Sequence, residues 1–309
     1  MIKGWFISDV KGSNVEQLFL SMKVPNIDLV YLEDVELVLD YNHPNQFLIG
    51  GQWVEKPDFV LCTLESVLHE DMSYVYTISH LLEQLGLMGV YCFPNPELMN
   101  KSGDKLRTAQ LLAQAGVPTP RTYMLTQKSN PSFIAKELGL PVVVKIPNGS
   151  KGQGISLAHN VDELNALMQD ELKQSGDILL AQEFIATSKG RDVRVTLADG
   201  ELVFACLRDN TKNGDFRSNV SLGGTASIIE PSEEMMDIAC RAAKALDADW
   251  CGVDLLFAEN GFMVGEVNSF PGLVDNMYYK GENLKLRYIR MLMEMIAKKV
   301  AEKKQKNDE

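Results

Sequence analysis

The sequence has no run of about 18 apolar residues, the length that a membrane-spanning helix needs. Its start, residues 1–9, contains only a short apolar segment broken by polar residues, which predicts a strand rather than a signal peptide. The five cysteines are odd in number and widely spaced, so neither a disulfide framework nor a zinc knuckle is indicated. We therefore expect a protein of the reducing cytoplasm with no membrane partner.

Basic residues are also in short supply, because 30 Lys and Arg stand against 42 Asp and Glu and give a net charge of -12. A nucleic-acid-binding surface needs clustered basic residues that face phosphates, so no nucleic-acid partner is expected. A local basic groove for a nucleotide remains compatible with this composition. The 309 residues, 45% of them hydrophobic, suffice for about two domains with a substantial core.

Apolar runs alternate with helical patterns over the first ninety or so residues. Strands are predicted at 4–7, 27–32 and 58–62, and a helix at 74–86. This alternation predicts a parallel sheet with helices on its faces. A boundary is expected at Pro94-Asn95-Pro96.

The pattern changes after residue 100. A helix is predicted from 100 to about 115, ending at Gly116 with Pro118 beyond it. Further strands are predicted at 121–125, 141–146, 155–158, 178–184, 192–198 and 202–207, and further helices at 131–138, 161–174, 232–246 and 284–300. The charged end of the chain, from Glu302, is expected to be frayed and solvated. Membrane or partner binding by the last, amphipathic helix is the less favoured alternative.

Three polar residues stand in two apolar strands that form a predicted hairpin. Asp254 interrupts the first strand, and Glu266 and Asn268, two positions apart, share one face of the second. A three-residue loop at 259–261 would place Asp254 opposite Glu266, whereas a two-residue loop would pair it with Val267 and separate the carboxylates. We predict the odd-length loop, with Gly261 in the left-handed conformation.

Two carboxylates and an amide oxygen suit Mg²⁺, which keeps several waters and also binds substrate phosphates. The alternative is a surface hairpin with solvated acids, but unpaired carboxylates within apolar strands are energetically costly. Asp254, Glu266 and Asn268 are therefore the predicted metal ligands, for Mg²⁺ or Mn²⁺, in a site for a nucleoside triphosphate.

A buried strand with a single lysine, Lys145, leads into a glycine-rich turn with Gly149, Gly152 and Gly154, after which the chain returns as a strand. A Walker loop opens a helix and carries its lysine after the glycines, so this segment is of another kind. We predict a phosphate cover, in which backbone N–H groups and Lys145 reach phosphate oxygens. A flexible surface turn is the alternative.

Other segments supply weaker candidates. Lys105 lies in the first turns of a helix and is a second candidate phosphate contact, or an exposed helix lysine. Residues 181–185 end a strand whose backbone groups are suited to an adenine edge, with Asp192 as a candidate for a ribose hydroxyl.

The polar loop from Asp215 to Asn219 offers a positive charge, Arg217, and an amide that are suited to stabilising a phosphoryl group in transfer. Solvated loop residues are the alternative.

Six segments, taken in order, resemble the ATP-grasp superfamily and within it the RimK-type branch. They are Asp104-Lys105-Leu106-Arg107, the Lys145 strand with its glycine turn, Gln182-Glu183-Phe184, Gly214-Asp215-Phe216-Arg217-Ser218-Asn219, Gly252-Val253-Asp254 and Glu266-Val267-Asn268. The resemblance covers roughly residues 95 to 275. That branch contains ATP-dependent glutamate ligases, including one that adds glutamates to a ribosomal protein, and enzymes that join amino acids to carrier proteins or coenzymes.

The resemblance implies an α/β (α+β) ATP-grasp fold in three parts. These are a Rossmann-like preATP-grasp domain at 1–95, a central lid domain at 96–180 and a C-terminal antiparallel-sheet domain at 181–303, with a charged tail at 304–309. ATP is expected between the last two domains. The implied contacts are Lys105 and Lys145 with Gly149, Gly152 and Gly154 for the phosphates, Glu183 and Phe184 for adenine, Asp192 for ribose, Arg217, Ser218 and Asn219 for the transferring phosphoryl group, and Asp254, Glu266 and Asn268 for magnesium.

The implied reaction phosphorylates a carboxylate to an acyl phosphate, which an amine attacks with release of ADP and phosphate. Phosphorylation creates a leaving group on a poor electrophile, and the metal and Arg217 offset the gathered negative charge. Lys145, Arg217 and Asn219 are the implied catalytic residues. The implied partners are ATP, amino-acid and carboxylate substrates and a protein or peptide acceptor. We also expect a homo-oligomer.

Departures from the branch leave the amino acid open. Its glutamate ligases usually carry arginines just before the Gly-Asp-Phe-Arg segment, where this chain has Asp209 and Asn210, and the loop after Asn268 reads Ser269-Phe270-Pro271-Gly272 rather than Ala-Ser-Pro-Gly. Two other functions stay open at this stage: an ATP-binding regulatory or scaffold protein without turnover, and a kinase that phosphorylates a small molecule.

Overall fold

The structure, a computed structural model, describes residues 2–21, 24–38, 42, 46–62, 72–148, 154–175, 178–214, 216–218, 223–272 and 277–308. The chain divides into two compact units, Met1–Met99 with Arg290–Glu309, and Asn100–Ile289. Along the chain the elements are β1 (Gly4–Ser8), α1 (Asn14–Ser21), β2 (Ile27–Tyr31), β3 (Val35–Glu36), β4 (Gln46–Ile49), β5 (Gln52–Glu55), β6 (Phe59–Cys62), α2 (Met72–Leu87), β7 (Tyr91–Phe93), α3 (Pro96–Gly103), α4 (Lys105–Gln114), β8 (Thr122–Leu125), α5 (Pro131–Leu138), β9 (Val142–Lys145), β10 (Ile155–Ala158), α6 (Val161–Ser175), β11 (Leu179–Glu183), β12 (Arg191–Ala198), β13 (Glu201–Asp209), β14 (Thr225–Ile229), α7 (Glu233–Ala245), β15 (Trp250–Phe257), β16 (Phe262–Asn268), β17 (Tyr278–Tyr279), β18 (Glu282–Asn283) and α8 (Leu284–Asp308). No helix among the described residues is long and apolar enough to cross a membrane.

The first unit is built on a parallel sheet in the order β2-β1-β6-β7, as the alternating pattern predicts. Its apolar side chains, among them Ile7, Val60 and Leu82, are fully buried and pack in one core. A small antiparallel sheet, β3-β4-β5, was not predicted, because strands of two to four residues with mixed polarity show no clear period.

The expected frayed end of the chain is wrong over the described residues, since α8 continues to Asp308. The ammonium group of Lys303 donates to the carbonyl oxygen of Val90 at 3.0 Å, and Lys304 pairs with Asp58 at 2.7 Å. These contacts hold the last turns of the helix within the first unit.

In the second unit the described residues form three antiparallel sheets, of which one is the two-stranded sheet β17-β18. The four-stranded antiparallel sheet has the order β10-β9-β11-β8, and α5 and α6 pack with it around buried Leu164 and Leu179. The five-stranded sheet has the order β14-β13-β12-β15-β16 and packs against α7. The strands predicted in this region and the helices predicted at 131–138, 161–174 and 232–246 are confirmed, while β14, β17 and β18 were not predicted.

The single helix predicted at 100–115 is interrupted at Asp104, which ends one helix and caps the next. Asp104 is extended (φ −105°, ψ 106°), and its Oδ1 accepts from the N–H groups of Leu106 at 2.8 Å and Arg107 at 3.2 Å. An aspartate in this role favours a new helix start over a continuous helix. Lys105 is thereby the first residue of α4, and its N–H donates to the carbonyl oxygen of Pro147 at 3.0 Å, just beyond β9.

Candidate functional site

The β15–β16 hairpin places the predicted metal ligands on one face. Asp254 lies directly opposite Glu266, and Asn268 lies opposite Gly252, as the alternation predicts. Gly261 has the predicted left-handed conformation (φ 87°). All three oxygen-bearing side chains therefore share a face of the five-stranded sheet.

The predicted three-residue loop is wrong. The loop has an even number of residues, and a β-bulge below it brings Asp254 opposite Glu266 instead. Phe257 pairs with Phe262, so four residues form the loop. Leu255 pairs with Val264 while Asp254 pairs with Glu266, which leaves Gly265 as the extra residue of a β-bulge. A Cβ at Gly265 would lie 3.1–3.3 Å from the side chain of Leu256, so the close fit favours glycine at this place.

A cleft in the second unit brings two lysines and one carboxylate together. Lys105 Nζ lies 3.7 Å from Glu266 Oε1, and Lys145 lines the same cleft. The cleft has a volume of about 290 Å³ including its open mouth, and its lining consists of Ser102, Lys105, Thr108, Ala109, Leu112, Thr119, Lys145, Gln182, Gly265 and Glu266. Two predicted phosphate contacts and a predicted metal ligand thus converge from α4, β9 and β16.

Lys145 is held in a defined orientation. Its Nζ donates to Gln182 Oε1 at 2.9 Å, and Gln182 Nε2 donates to Thr122 Oγ1 at 2.8 Å. Burial lowers the pKa of Lys145 to about 8, and the positive charge of Lys105 acts in the same direction while Glu266 opposes both. The lysine is therefore mostly protonated at neutral pH, and an anion in the cleft would stabilise its charge further.

Four charged residues form a buried ion cluster beside this cleft: Asp192, Arg194, Arg208 and Asp254. Arg194 donates from Nε to Asp254 Oδ1 at 2.7 Å and from Nη2 to Oδ2 at 2.8 Å. Arg208 donates from Nε to Asp192 Oδ1 at 2.6 Å, and from Nη2 to Asp192 Oδ2 at 2.5 Å and Asp254 Oδ2 at 2.8 Å. The two guanidinium groups and two carboxylates balance in charge.

The cluster keeps Asp254 ionised. Burial raises the pKa of Asp254, but Arg194 and Arg208 outweigh it and lower that pKa to about 2. The pKa of Asp192, in contrast, is raised, because burial and the negative charge of Asp254 outweigh its hydrogen bonds with Arg208 and Ser218. Asp254 therefore carries its negative charge across the whole physiological pH range.

The donor set fits Mg²⁺. Asp254 Oδ2 accepts from Arg194, Arg208 and, at 3.4 Å, Asn268. Among the described residues Arg194 is the one donor to Oδ1, which leaves that oxygen one lone pair. The Glu266 side chain is 39% exposed and can turn its carboxylate towards a ligand. Within the described ranges no group of three or more His, Cys, Asp or Glu is placed to hold a metal. A cation here would need water and phosphate oxygens to complete its shell, which is the habit of Mg²⁺.

The predicted adenine and phosphoryl contacts lie on neighbouring segments. Glu183 ends β11, and its Oε2 accepts from the N–H of Arg121 at 3.3 Å. The rings of Phe184 and Phe216 meet edge to face with centroids 6.3 Å apart, and the Arg217 guanidinium lies 5.8 Å from the Phe216 ring centre. The carbonyl oxygen of Arg217 accepts from Asn210 Nδ2 at 3.0 Å.

Two predicted contacts have partners that the sequence did not indicate. Asp192, the predicted ribose contact, faces Arg208, and the hydroxyl of Ser218 donates to it. Gly154 has a left-handed conformation (φ 64°), and a Cβ there would lie 2.6 Å from the Ile146 side chain. Gly149, Gly152, Asp215 and Asn219 lie outside the described residues.

The sequence reasoning missed Arg194 and Arg208 as the partners of Asp254 and Asp192. Arg194 and Arg208 interrupt apolar strands just as Asp254 does, and Asp192 and Arg194 stand two positions apart, so they share a face. This was the signal that could have found them.

Comparison with known proteins identifies a family and relatives for this chain. A family model described as the RimK-like ATP-grasp domain matches residues 102–292. A probable alpha-L-glutamate ligase of Vibrio parahaemolyticus is 36% identical over 194 residues, which are 62% of this chain and 64% of the relative. A probable alpha-L-glutamate ligase 2 of a Shewanella species is 35% identical over 226 residues, 73% of each chain. The match to the Vibrio relative thus spans less than two thirds of that protein.

Solved structures show the same fold at low sequence identity. The ATP-grasp ligase PsnB in complex with a minimal precursor aligns with a TM-score of 0.67 at 19% identity, covering 95% of this chain and 98% of that one. The D-alanine–D-alanine ligase of Bacillus anthracis aligns with a TM-score of 0.65 at 19% identity, covering 99% and 100%. These similarities confirm the predicted ATP-grasp fold.

Proposed function

Because the chain belongs to the RimK-like ATP-grasp family, we propose that it is an ATP-dependent, ADP-forming carboxylate–amine ligase. It forms a peptide or amide bond through an acyl phosphate. The observation that carries the proposal is the convergence of Lys105, Lys145 and Glu266 on one cleft. Two cations and a carboxylate beside an ionised Asp254 suit a triphosphate with its metal, and neither an apolar ligand nor a neutral one needs such a set.

Each side chain has a proposed task in this reaction. Lys105 and Lys145 bind phosphate oxygens as point charges, and Gly149, Gly152 and Gly154 belong to the turn that covers them. Glu183 and Phe184 bind the adenine, while Arg217, Ser218 and Asn219 contact the phosphoryl group in transfer. Arg217 offsets the negative charge that develops there, and the exclusion of water from the closed site protects the acyl phosphate from hydrolysis.

The proposed metal ligands are Asp254, Glu266 and Asn268. Mg²⁺, for which Mn²⁺ is a substitute, supplies charge neutralisation of the triphosphate and of the phosphorylated carboxylate. The bidentate hold of Arg194 keeps the Asp254 carboxylate in one orientation, so that the lone pair of Oδ1 stays available. Glu266, whose carboxylate lies 3.7 Å from Lys105 Nζ, would supply the second carboxylate to the cation.

The relatives suggest which amino acid and which acceptor the enzyme uses. Their names make glutamate the first candidate amino acid, and PsnB, solved also with a precursor peptide, makes a peptide or protein acceptor a candidate. We propose three functional parts, at 1–95, 96–180 and 181–303, with ATP bound between the last two, in a homo-oligomeric cytoplasmic enzyme.

The test is a screen for phosphate release with ATP and Mg²⁺ against amino acids, singly and in pairs, followed by mass spectrometry of the products. A ligase releases ADP and phosphate only with both substrates, and hydroxylamine traps its acyl phosphate. Nucleotide binding without substrate-stimulated release would identify a regulatory or scaffold protein instead. A stable phosphate ester that resists hydroxylamine would identify a small-molecule kinase.

A further inference from the structure

Asn210 is a buried polar residue at the start of the loop that leads to Arg217. The residue is 1% exposed. A single 3₁₀ turn, Thr211–Asn213, follows it, and among the described residues the Asn210 side chain does not cap that turn, although asparagine is a favoured capping residue. Asp209 satisfies the first N–H of the turn instead, since its Oδ1 accepts from the N–H of Thr211 at 2.9 Å. The carboxamide of Asn210 is therefore available for other contacts in the loop.

Both ends of that carboxamide bind within the loop. Its Nδ2 donates to the carbonyl oxygen of Arg217 at 3.0 Å, and its Oδ1 accepts from Asn213 Nδ2 at 2.5 Å. The Asn213 amide also donates to the carbonyl oxygen of Gly223 at 3.0 Å, farther along the loop. The Asn210 side chain thus joins two parts of the loop, and its Nδ2 is the end that reaches the main chain of Arg217.

The main chain of Asn210 is connected to the same segment by a second route. Its N–H donates to the carbonyl oxygen of Gly190 at 2.7 Å, and the N–H of Gly190 donates to the carbonyl oxygen of Phe216 at 2.9 Å. Two consecutive carbonyl groups, those of Phe216 and Arg217, are therefore anchored where β12 begins and β13 ends. Because both peptide groups are held, the direction in which the Arg217 side chain leaves the main chain is fixed.

We propose that Asn210 is a positioning residue, whose side-chain amide holds the main chain of Arg217 so that the guanidinium group contacts the phosphoryl group in transfer. The proposal rests on the proposed function, since it takes Arg217 as the phosphoryl contact. A residue of this kind acts without touching the substrate, because an error of about 1 Å in the position of a reacting group can lower a rate by about 100-fold. The effect of Asn210 is therefore expected in kcat and through Arg217.

The first test compares two neighbouring asparagines by substrate-dependent ADP release in the full chain. Asn210→Ala removes the donor to the Arg217 carbonyl, and we expect kcat to fall by about 30-fold while the KM for ATP changes by less than about threefold. Asn213→Ala is the matched control, because it removes an amide from the same loop and leaves Asn210 Nδ2 in place. Its kcat should fall by no more than about threefold.

The second test asks whether Asn210 acts through Arg217. In an Arg217→Ala background, Asn210→Ala should lower kcat by less than about twofold more, because the guanidinium group that it positions is absent. Losses that multiply in the double variant would overturn the proposal, and so would equal falls in kcat for Asn210→Ala and Asn213→Ala. A higher KM for ATP with constant kcat in Asn210→Ala would overturn it as well.

Nucleotide binding gives a third measurement, which needs no turnover. Calorimetry at saturating Mg²⁺ gives the dissociation constants of ADP and AMPPNP, and their ratio depends on contacts with the terminal phosphoryl group. We expect Asn210→Ala and Arg217→Ala to weaken AMPPNP relative to ADP by the same factor, about fivefold. A ratio that changes in Arg217→Ala and not in Asn210→Ala would overturn the proposal. Should Asn210→Ala not fold, Asn210→Ser, whose side chain is too short to reach the Arg217 carbonyl, replaces it in all three tests.

Failure of the proposed function is a separate result. A wild-type protein that forms no product with any amino acid contradicts the ligase, and the two dissociation constants still decide the role of Asn210. A ratio that is unchanged in Arg217→Ala removes the phosphoryl contact and with it the positioning role, while the phosphate-release screen decides on the ligase.

Discussion

The cleft and the buried ion cluster meet at the β15–β16 hairpin, where Glu266 lies opposite Asp254, but they differ in charge balance and exposure. In the cluster, two guanidinium groups and two carboxylates balance, and Asp254 is only 6% exposed. In the cleft, two lysines accompany a single carboxylate, and Glu266 is 39% exposed. The first arrangement has the charge balance of a structural element, and the second has a net positive charge that an anionic ligand can balance.

This difference teaches how one site can be both rigid and receptive. In the buried cluster, separating one side chain from its partners would leave an uncompensated charge at a large cost in free energy. The cluster therefore keeps its geometry. The cleft keeps part of its charge in water, where a side chain can exchange one partner for another at low cost. Substitutions in the cluster should therefore lower stability, and substitutions in the cleft should lower ligand binding.

The largest expected effect is a difference in stability between substitutions of two carboxylates that face each other across β15 and β16. Asp254→Asn should destabilise the protein by about 3 kcal/mol, because it leaves Arg194 and Arg208 without a charged partner at this position. Glu266→Gln should change stability by less than about 1 kcal/mol, because its ion pair is partly solvated. Chemical denaturation in the presence of a metal chelator measures both.

Glu259→Gln is the matched control, since Glu259 is an exposed acid in the same hairpin. Equal losses of stability in Asp254→Asn and Glu266→Gln would remove the distinction between cluster and cleft.

The next effect concerns function rather than stability. Lys145→Met should lower substrate-dependent ADP release by about 100-fold, because it removes a buried charge that we propose binds the phosphates. The same change should not lower the free energy of unfolding, since a buried charge disappears with it. A coupled assay for ADP measures the rate, and Lys136→Met, at an exposed lysine of α5, is the control. An unchanged rate of ADP release in Lys145→Met would count heavily against the proposed ligase.

A smaller effect depends on pH. The pKa of Asp254 is about 2 in the folded protein, below its ordinary value of about 3.9 in an unfolded chain. The resulting stabilisation, about 2 kcal/mol, is present above pH 4 and is lost as the pH falls through 4 towards 2. The difference in unfolding free energy between the wild type and Asp254→Asn, measured with chelator at pH 7, 4 and 2.5, should shrink by that amount. A constant difference would show that Asp254 is not held ionised by the cluster.

The smallest expected effect concerns the orientation of Lys145. Gln182→Leu removes the acceptor for Lys145 Nζ, so the lysine loses its fixed position and the KM for ATP should rise about fivefold with little change in kcat. Gln114→Leu, at an exposed position of α4, is the control. A fall in kcat with constant KM would assign Gln182 to the chemical step instead.

Much of the fold could be predicted from hydrophobic periodicity, because long amphipathic helices and alternating strands show the same pattern of apolar residues over several turns or pleats. The pairing of Asp254 with Glu266 followed in the same way. The loop length did not, because the bulge depends on how Gly265 fits against Leu256 in the folded sheet. The break between α3 and α4 was also missed, since a helix-interior aspartate and a capping aspartate look alike until the backbone is known.

The candidate site was less predictable than the fold. Sequence reasoning identified residues that suit a nucleotide and treated each strand acid as a ligand. It could not show that Arg194 and Arg208 already bind Asp254 and Asp192, because cross-strand partners depend on register. Alternation indicates which residues share a face, and only the register shows which of them touch.

The bulge at Gly265 has a practical consequence for experiments with this protein. The bulge lies between the hairpin tip and Glu266. It is therefore the bulge, and not the length of the loop at the tip, that places Glu266 on the same face as Asp254. Exposed Glu259 and Asn260 can therefore carry an inserted tag or a fluorescent dye without turning Glu266 to the other side of the sheet.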